Sequence, residues 1–171
     1  MNEEFQMLYE KYFHEIYLFV LKLVSYRTDL AEELTQEAFY QAFISLSRYR
    51  GECEIKTWLC QIAKNTCFKY FKKNPIQVST DTEEFQNSNL GKGGNMPEEY
   101  FMKQELIEIV NKSILQLKKK YRDVLVYRLH FDMHFNEIGR IMNISENSAK
   151  VIYYRGKEML KLKLEGYYYG K

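Results

Sequence analysis

Apolar and aromatic side chains return every three or four positions through residues 5–73, as in Tyr12, Ile16, Phe19 and Leu23, with weak breaks at 26–29 and 50–51. That period sets them on one stripe of successive α-helices, because 3.6 residues complete a turn. The period vanishes over residues 74–102, where Pro75, Ser79, Asn87, Ser88, Asn89, a GKGG run at 91–94 and Pro97 punctuate a polar stretch. It resumes from Lys103 through Leu106, Ile109, Val110 and Leu117, and continues over 121–131. The pattern predicts an all-α protein of two small helical domains. Residues 1–73 form the first, 74–102 a flexible acidic linker, 103–166 the second, and 167–171 a tail whose tyrosines are expected to fray. The GKGG run is no phosphate loop, because the flanking strand, the Gly-x-x-x-x-Gly-Lys-Ser/Thr spacing and the following helix are all missing.

Within the second domain the spacing becomes more specific. Phe135, Ile138 and Met142 fall at i, i+3 and i+7 and make the stripe of a short helix. Asn143, the residue after glycine most tolerant of the left-handed backbone region, ends it, and Ser145 is a good N-cap for a second helix. Gly139 removes bulk where the two helices cross. On the second helix Ala149, Ile152, Tyr153, Gly156 and Leu160 share the inner side, which leaves Asn147, Ser148, Lys150, Val151, Tyr154 and Arg155 outward. Turn, cap and basic outer face together describe a helix-turn-helix reading a DNA major groove. A helical hairpin without DNA contacts shares much of the apolar pattern.

Charge sharpens this picture. The net charge of +2 hides an uneven distribution: 0 over residues 1–73, −4 over 74–102 and +6 over 103–171. Residues 48–73 alone hold seven basic and two acidic side chains. Two separated basic footprints suit a protein that grips a polyanion in two places. Cys53, Cys60 and Cys67 are odd in number and lack a fourth ligand nearby, so neither a disulfide nor a metal site is expected. No apolar run approaches the ~20 residues of a membrane span, and the acidic start lacks the order of a secretion signal, which points to a cytoplasmic protein without membrane insertion. His14, His130 and His134 have no nucleophile or carboxylate partner in motif spacing, so no catalytic site and no cofactor is expected.

Residues 29–73 complete the reading. Their first half is an amphipathic helix with Glu32, Glu33, Gln36 and Glu37 beside apolar Leu34, Ala38 and Phe39, a surface suited to a basic protein partner. Their second half is a loop and a helix interleaving Trp58 and Tyr70 with Asn65, Lys69, Lys72 and Lys73, a mix that suits unpaired bases and their phosphates. A lone tryptophan is nevertheless more often core than stacking platform.

Both blocks together resemble the bacterial RNA polymerase sigma factors of the extracytoplasmic-function group. The resemblance runs through Asp29, Ala31, Glu32, Glu33, Leu34, Gln36, Glu37 and Phe39, then Tyr49, Arg50, Gly51, Lys56, Thr57, Trp58, Leu59, Ile62, Ala63 and Asn65. In the last block it rests on Tyr121, Arg122, Val124, Leu125, Glu137, Ile138, Ile144, Ser145, Lys150 and Arg155. It implies a specificity subunit that binds core RNA polymerase, recognises minus-thirty-five and minus-ten promoter elements and helps open the DNA. Glu32, Glu33, Gln36, Glu37 and Phe39 would dock on core polymerase. Arg50, Lys56, Asn65, Lys69, Lys72 and Lys73 would serve the minus-ten element, and Asn147, Ser148, Lys150, Val151, Tyr154 and Arg155 the minus-thirty-five element. A dedicated anti-sigma protein is implied as a further partner. Ile152 stands where the family commonly carries an arginine and cannot make that residue's bidentate guanine contact, so promoter preference is not read from the family. Promoter sequence, inducing stimulus and any redox role of the cysteines stay open, and the main rival is a free-standing helix-turn-helix regulator.

Overall fold

The computed structural model describes residues 3–74 and 98–169. Seven α-helices follow one another among them: α1 Glu3–Leu23, α2 Thr28–Ser45, α3 Ile55–Lys73, α4 Glu98–Leu115, α5 Lys119–Leu129, α6 Phe135–Met142 and α7 Glu146–Tyr169. A single 3-10 turn, Leu46–Arg48, follows α2. No strand occurs among the described residues. The expected linker falls mostly on residues 75–97, outside the described ones, but its predicted end is too late: α4 begins at Glu98, five residues before Lys103. The tail is likewise shorter than expected, because Tyr167 and Tyr169 continue α7.

Helices α1 to α3 form one module. Ile16, Phe19, Val20 and Leu23 of α1 meet Leu34, Ala38, Phe39 and Ala42 of α2 and Leu59, Cys60, Ala63 and Cys67 of α3, all buried. The small residues Ala31, Thr35, Ala38 and Ala42 lie along one side of α2 and let its neighbours approach closely. Thr35 is buried there at no polar cost, since its hydroxyl donates to the Ala31 carbonyl at 2.6 Å. At the far end, the rings of Phe5, Tyr9, Phe13 and Phe39 pack edge-on or tilted, with centroids 4.9 to 6.4 Å from that of Phe39.

The second module, α4 to α7, packs directly on the first, and α5 shows why. Its residues Tyr121, Val124, Leu125, Val126 and Tyr127 are all buried, so no stripe of this helix is left apolar and exposed. A helix buried all round needs cover on every side. Leu125 lies against Gly156 of α7. Asp123, on the other side, meets Lys64 of α3 with Nζ and Oδ2 3.2 Å apart and side chains only 6% and 7% exposed. The core therefore runs through both modules as one cluster.

A second clasp holds the end of α1. Ser25 and Tyr26 follow it with φ of 58° and 62°, the left-handed region that non-glycine residues rarely enter. Such strain, about 1–3 kcal/mol per residue, persists only where surroundings enforce it. The Asn111 amide of α4 enforces it here, donating to the Lys22 carbonyl at 2.9 Å and the Ser25 hydroxyl at 3.0 Å. The Lys22 carbonyl, which the Ser25 N–H reaches only at 3.3 Å, and the Leu23 carbonyl, 3.4 Å from the Asn111 amide nitrogen, thus gain a donor from the other module. Phe19 and Phe131 add an edge-to-face contact across the same junction, at 5.3 Å.

His130, the C-cap of α5, lies beside Lys22, and its Nε2 is buried without a hydrogen-bond partner among the described residues. Burial and then the Lys22 charge push its pKa from the usual 6.5 down to about 4. The folded chain keeps this imidazole neutral while the unfolded chain protonates it below pH 6.5, so its stabilising effect is complete above pH 6.5 and fades as pH falls towards 4. We expect thermal melting temperatures of the wild type to drop faster between those pH values than those of His130→Leu. Parallel curves would remove the assignment.

Candidate nucleic-acid and partner interfaces

The helix-turn-helix is built from local signals. Glu137 accepts the His134 backbone N–H at 2.7 Å and so closes the first turn of α6. Asn143 ends that helix at φ 53°, ψ 49°, and the Ile144 N–H returns to the Gly139 carbonyl at 2.9 Å. The Ser145 hydroxyl accepts the Ser148 N–H at 3.0 Å and donates to the Ser148 hydroxyl at 2.8 Å, capping α7. Ala149, Gly156 and Leu160 are buried, and Tyr153 packs on Phe135 at 5.3 Å. The predicted inner side of α7 is therefore the one that packs.

Its outer side presents Asn147, Ser148, Val151, Tyr154 and Arg155 to solvent. Lys150 is half-buried and paired with Glu146 at 2.6 Å, one turn earlier. Val151 and Tyr154, 48% and 60% exposed, put apolar surface in the middle of this polar face. The mixture offers phosphate neutralisers at the edges and groups able to meet thymine methyls or base edges between them.

In the first module, α2 and α3 enclose an open groove of about 760 Å³. Glu33, Gln36 and Glu37 line one wall, and Asn65, Lys69 and Lys73 the other. Two surfaces that the sequence treats separately, one for a protein partner and one for DNA, are thus the two walls of one groove. Lys72 is exposed beside it, Glu32 is exposed on α2, and Arg50 is exposed on the loop before α3, 4.0 Å from Glu52. Lys56 lies elsewhere. Nine residues from Asn65, it is half a helical rotation away. It pairs with Glu15 at 2.8 Å, with its Nζ 5.5 Å from the Phe131 ring.

Phe39 requires a correction as a partner contact: it is 2% exposed, held inside the aromatic cluster of α1 and α2. Its neighbours Tyr40 and Phe43 are exposed rings, at 59% and 46%, and with Phe5, Tyr9, Gln36 and the largely buried Phe39 they line an apolar groove of about 450 Å³. Periodicity alone missed them, because α2 carries apolar residues on both an inner and an outer strip and Phe39 fits either. Trp58 is half-buried against Tyr49 at 5.2 Å, the packing role weighed for it above.

The remaining side of α3 faces α5. Lys64 sits with its Nζ 4.6 Å from the Tyr127 ring centre and 5.6 Å from that of Phe68. Arg122 lies over the Phe68 ring at 4.2 Å, and its Nε is 3.4 Å from Asp123 Oδ1. Burial lowers the Lys64 pKa, and the Asp123 charge opposes that shift. Cys60 and Cys67 on the same helix are buried, and burial pushes the Cys67 thiol up to about 12. Neither is poised as a nucleophile.

Comparison with known proteins places these modules among transcription initiation factors. Residues 8–75 match the family model for sigma-70 region 2, and residues 107–160 that for sigma-70, region 4. ECF RNA polymerase sigma factor SigW of Bacillus subtilis is 30% identical over 140 residues, covering 78% of this chain and 75% of that protein. SigM of the same organism is 29% identical over 154 residues, 90% of this chain and 91% of its own. Among solved structures, CnrH in complex with the cytosolic domain of CnrY superposes with a TM-score of 0.59 at 13% identity, covering 97% and 90% of the two chains. The sigma factor RpoE of Bartonella quintana, in complex with the anti-sigma factor NepR, gives 0.56 at 18% identity, covering 95% and 98%. Both share the fold.

The turn between α6 and α7 supplies a direct test of its own geometry. A Cβ on Gly139 would lie 2.8 Å from the Ile144 carbonyl oxygen, a backbone atom that cannot swing aside. Gly139→Ala should cost about 1–3 kcal/mol, the usual penalty of overpacking. Gly166→Ala, with open space around it, should cost nothing or stabilise slightly. Urea denaturation of both variants reads the difference, and equal stabilities would show that the crossing is looser than described.

Proposed function

We propose, from the premise that this chain belongs to the extracytoplasmic-function group of RNA polymerase sigma factors, that its two helical modules divide promoter recognition between them. The chain is a promoter-recognising sigma factor. Residues 1–73 dock on core polymerase and engage the minus-ten element, and residues 103–166 read the minus-thirty-five element. In the first module the α2 wall, with Glu32, Glu33, Gln36 and Glu37 and the exposed rings of Tyr40 and Phe43, is the polymerase face. Asn65, Lys69, Lys72 and Lys73 on the opposite wall of the groove, with Arg50 on the loop, follow the opened strand. In the second, Asn147, Ser148, Lys150, Val151, Tyr154 and Arg155 enter the major groove. The chain needs no catalytic group or cofactor, because capture of an unstacked base and attraction of lysines to phosphates supply the few kcal/mol that strand opening requires. It works in the cytoplasm, where the polymerase is.

The observation that carries this reading is the outer face of α7: six side chains assigned to DNA stand on one helix whose opposite side is locked into the core. The packed arrangement also sets a requirement. A compact chain of this length has a radius of gyration of about 15 Å. Elements about 25 base pairs apart at ~3.4 Å each are separated by roughly 85 Å. The modules must therefore part to reach both. The 23 residues between Asn74 and Glu98 can extend over at most ~80 Å, comparable with that span. Binding both elements through one tether raises effective concentration and thereby selectivity. An anti-sigma protein, the kind of partner bound to the Bartonella quintana neighbour, is the expected antagonist of the same surfaces.

Two sets of variants test the division of labour. Lys150→Ala with Arg155→Ala should lower transcription from promoters that need the upstream element by tenfold or more, about 1–3 kcal/mol per lost base contact, while core polymerase is still pulled down. Gln36→Ala and Glu33→Lys should weaken that pull-down. Normal core association in both, or its loss in the α7 variant, would show the interfaces misplaced.

A further inference from the structure

Lys64, Phe68 and Lys72 follow one another at i, i+4 and i+8 and so form a single ridge along α3. Lys72, at the exposed end, is among the minus-ten contacts assigned above. The other two are covered, and what covers them is specific. Asp123 of α5 places a carboxylate oxygen 3.2 Å from Lys64 Nζ. Its neighbour Arg122 lays a planar guanidinium over the Phe68 ring at 4.2 Å. An anion on a lysine next to a flat, polarisable group on an aromatic ring is the contact pair that a single DNA strand makes, with its phosphate on the first and its base on the second. An open groove of about 680 Å³ continues from this spot, lined by Phe68, Lys69, Lys72, Lys112 and Arg122 among others.

We propose that Lys64 and Phe68 extend the strand-binding surface of α3, and that Arg122 and Asp123 occupy it in the unbound chain in place of a base and a phosphate. This rests on the sigma-factor reading of α3. When the modules part, Lys64 loses its counter-charge and Phe68 its stacked partner, and single-stranded DNA replaces both. The same step that separates the modules thereby lengthens the ridge that holds the melted strand. The free protein consequently has a shortened grip on single strands, and promoter opening is coupled to assembly with polymerase. Lys64 takes a further role from this: it both holds the modules together and receives the strand.

The test uses the full chain and a fluorescein-labelled oligodeoxythymidine, with binding read by fluorescence anisotropy across a salt series. Asp123→Asn frees the ridge directly, and Asn111→Ala frees it from the other side of the junction without touching it. Each should bind the strand about tenfold more tightly than wild type. Adding Lys64→Gln or Phe68→Ala to Asp123→Asn should cancel the gain, and the glutamine should also reduce the salt slope by about one ion. Lys64→Arg in that background should keep the gain. If Asp123→Asn loses helical circular dichroism, the Asn111→Ala result decides. Released variants that bind no more tightly than wild type, or double variants that bind as tightly as Asp123→Asn, overturn the proposal. Promoter-dependent transcription by wild-type holoenzyme is measured alongside. Its absence would strike the sigma-factor reading, whereas intact transcription with unchanged strand binding strikes the masking alone.

Discussion

The ion pair between Lys64 and Asp123 is the constraint on which the arrangement of this chain turns. Both side chains are almost fully removed from water, and among the described residues neither module supplies an ion-pair partner for its own charge apart from Arg122 beside Asp123. Removing one member of such a pair costs about 3–5 kcal/mol, because the other is left buried and uncompensated. The contrast with Lys56 and Glu15 is instructive: that pair is half-exposed and within one module, where screening leaves about 0–1 kcal/mol. A buried pair that bridges two modules is a conditional bond, strong while water is excluded and much weaker once the surfaces separate.

Around that bond the rest of the molecule is organised by α5. Its middle, with Tyr121 and Asp123 to Tyr127 buried, has no solvent face, so it must be covered by α3 on one side and α7 on another. The left-handed turn at Ser25 and Tyr26 has the same logic, since its strain is held by Asn111 from the opposite module. These features bind together two units that the proposed function sets about a promoter's length apart. The surfaces assigned to polymerase and to duplex DNA remain open in the packed form, so a first contact can be made before the modules separate. On the proposed reading, core polymerase then supplies the free energy that the junction gives up.

Much of this was legible in the sequence wherever the deciding forces are local. The cap at Ser145, the left-handed Asn143, the spacing of Ala149, Gly156 and Leu160 and the exposure of α7's outer residues all follow from interactions within a few positions, and the structure has them as read. Phe39 was assigned to a surface because a helix with two apolar strips does not reveal which one is covered. The resemblance groups Lys56 with Asn65, although nine positions turn them to opposite sides of α3. The junction itself left no trace, because Lys64 and Asp123 are far apart in the chain and each looks like an ordinary surface charge. The apolar period predicts two helical domains and a linker without their packing for the same reason: nothing local says that the middle of α5 needs cover on every side.

The opening of the junction can be observed directly. Fluorescent labels introduced through unnatural amino acids at the exposed Glu10 of α1 and Lys157 of α7 would report the separation of the modules in the free chain and in the complex with core polymerase and promoter DNA. The packed fold predicts a free-chain distance within the roughly 40 Å breadth of a compact domain of this size. Assembly should lengthen it to roughly 85 Å, the spacing of two elements about 25 base pairs apart. A distance that stays the same on assembly, or one already long in the free chain, would contradict the closed junction and its opening by polymerase.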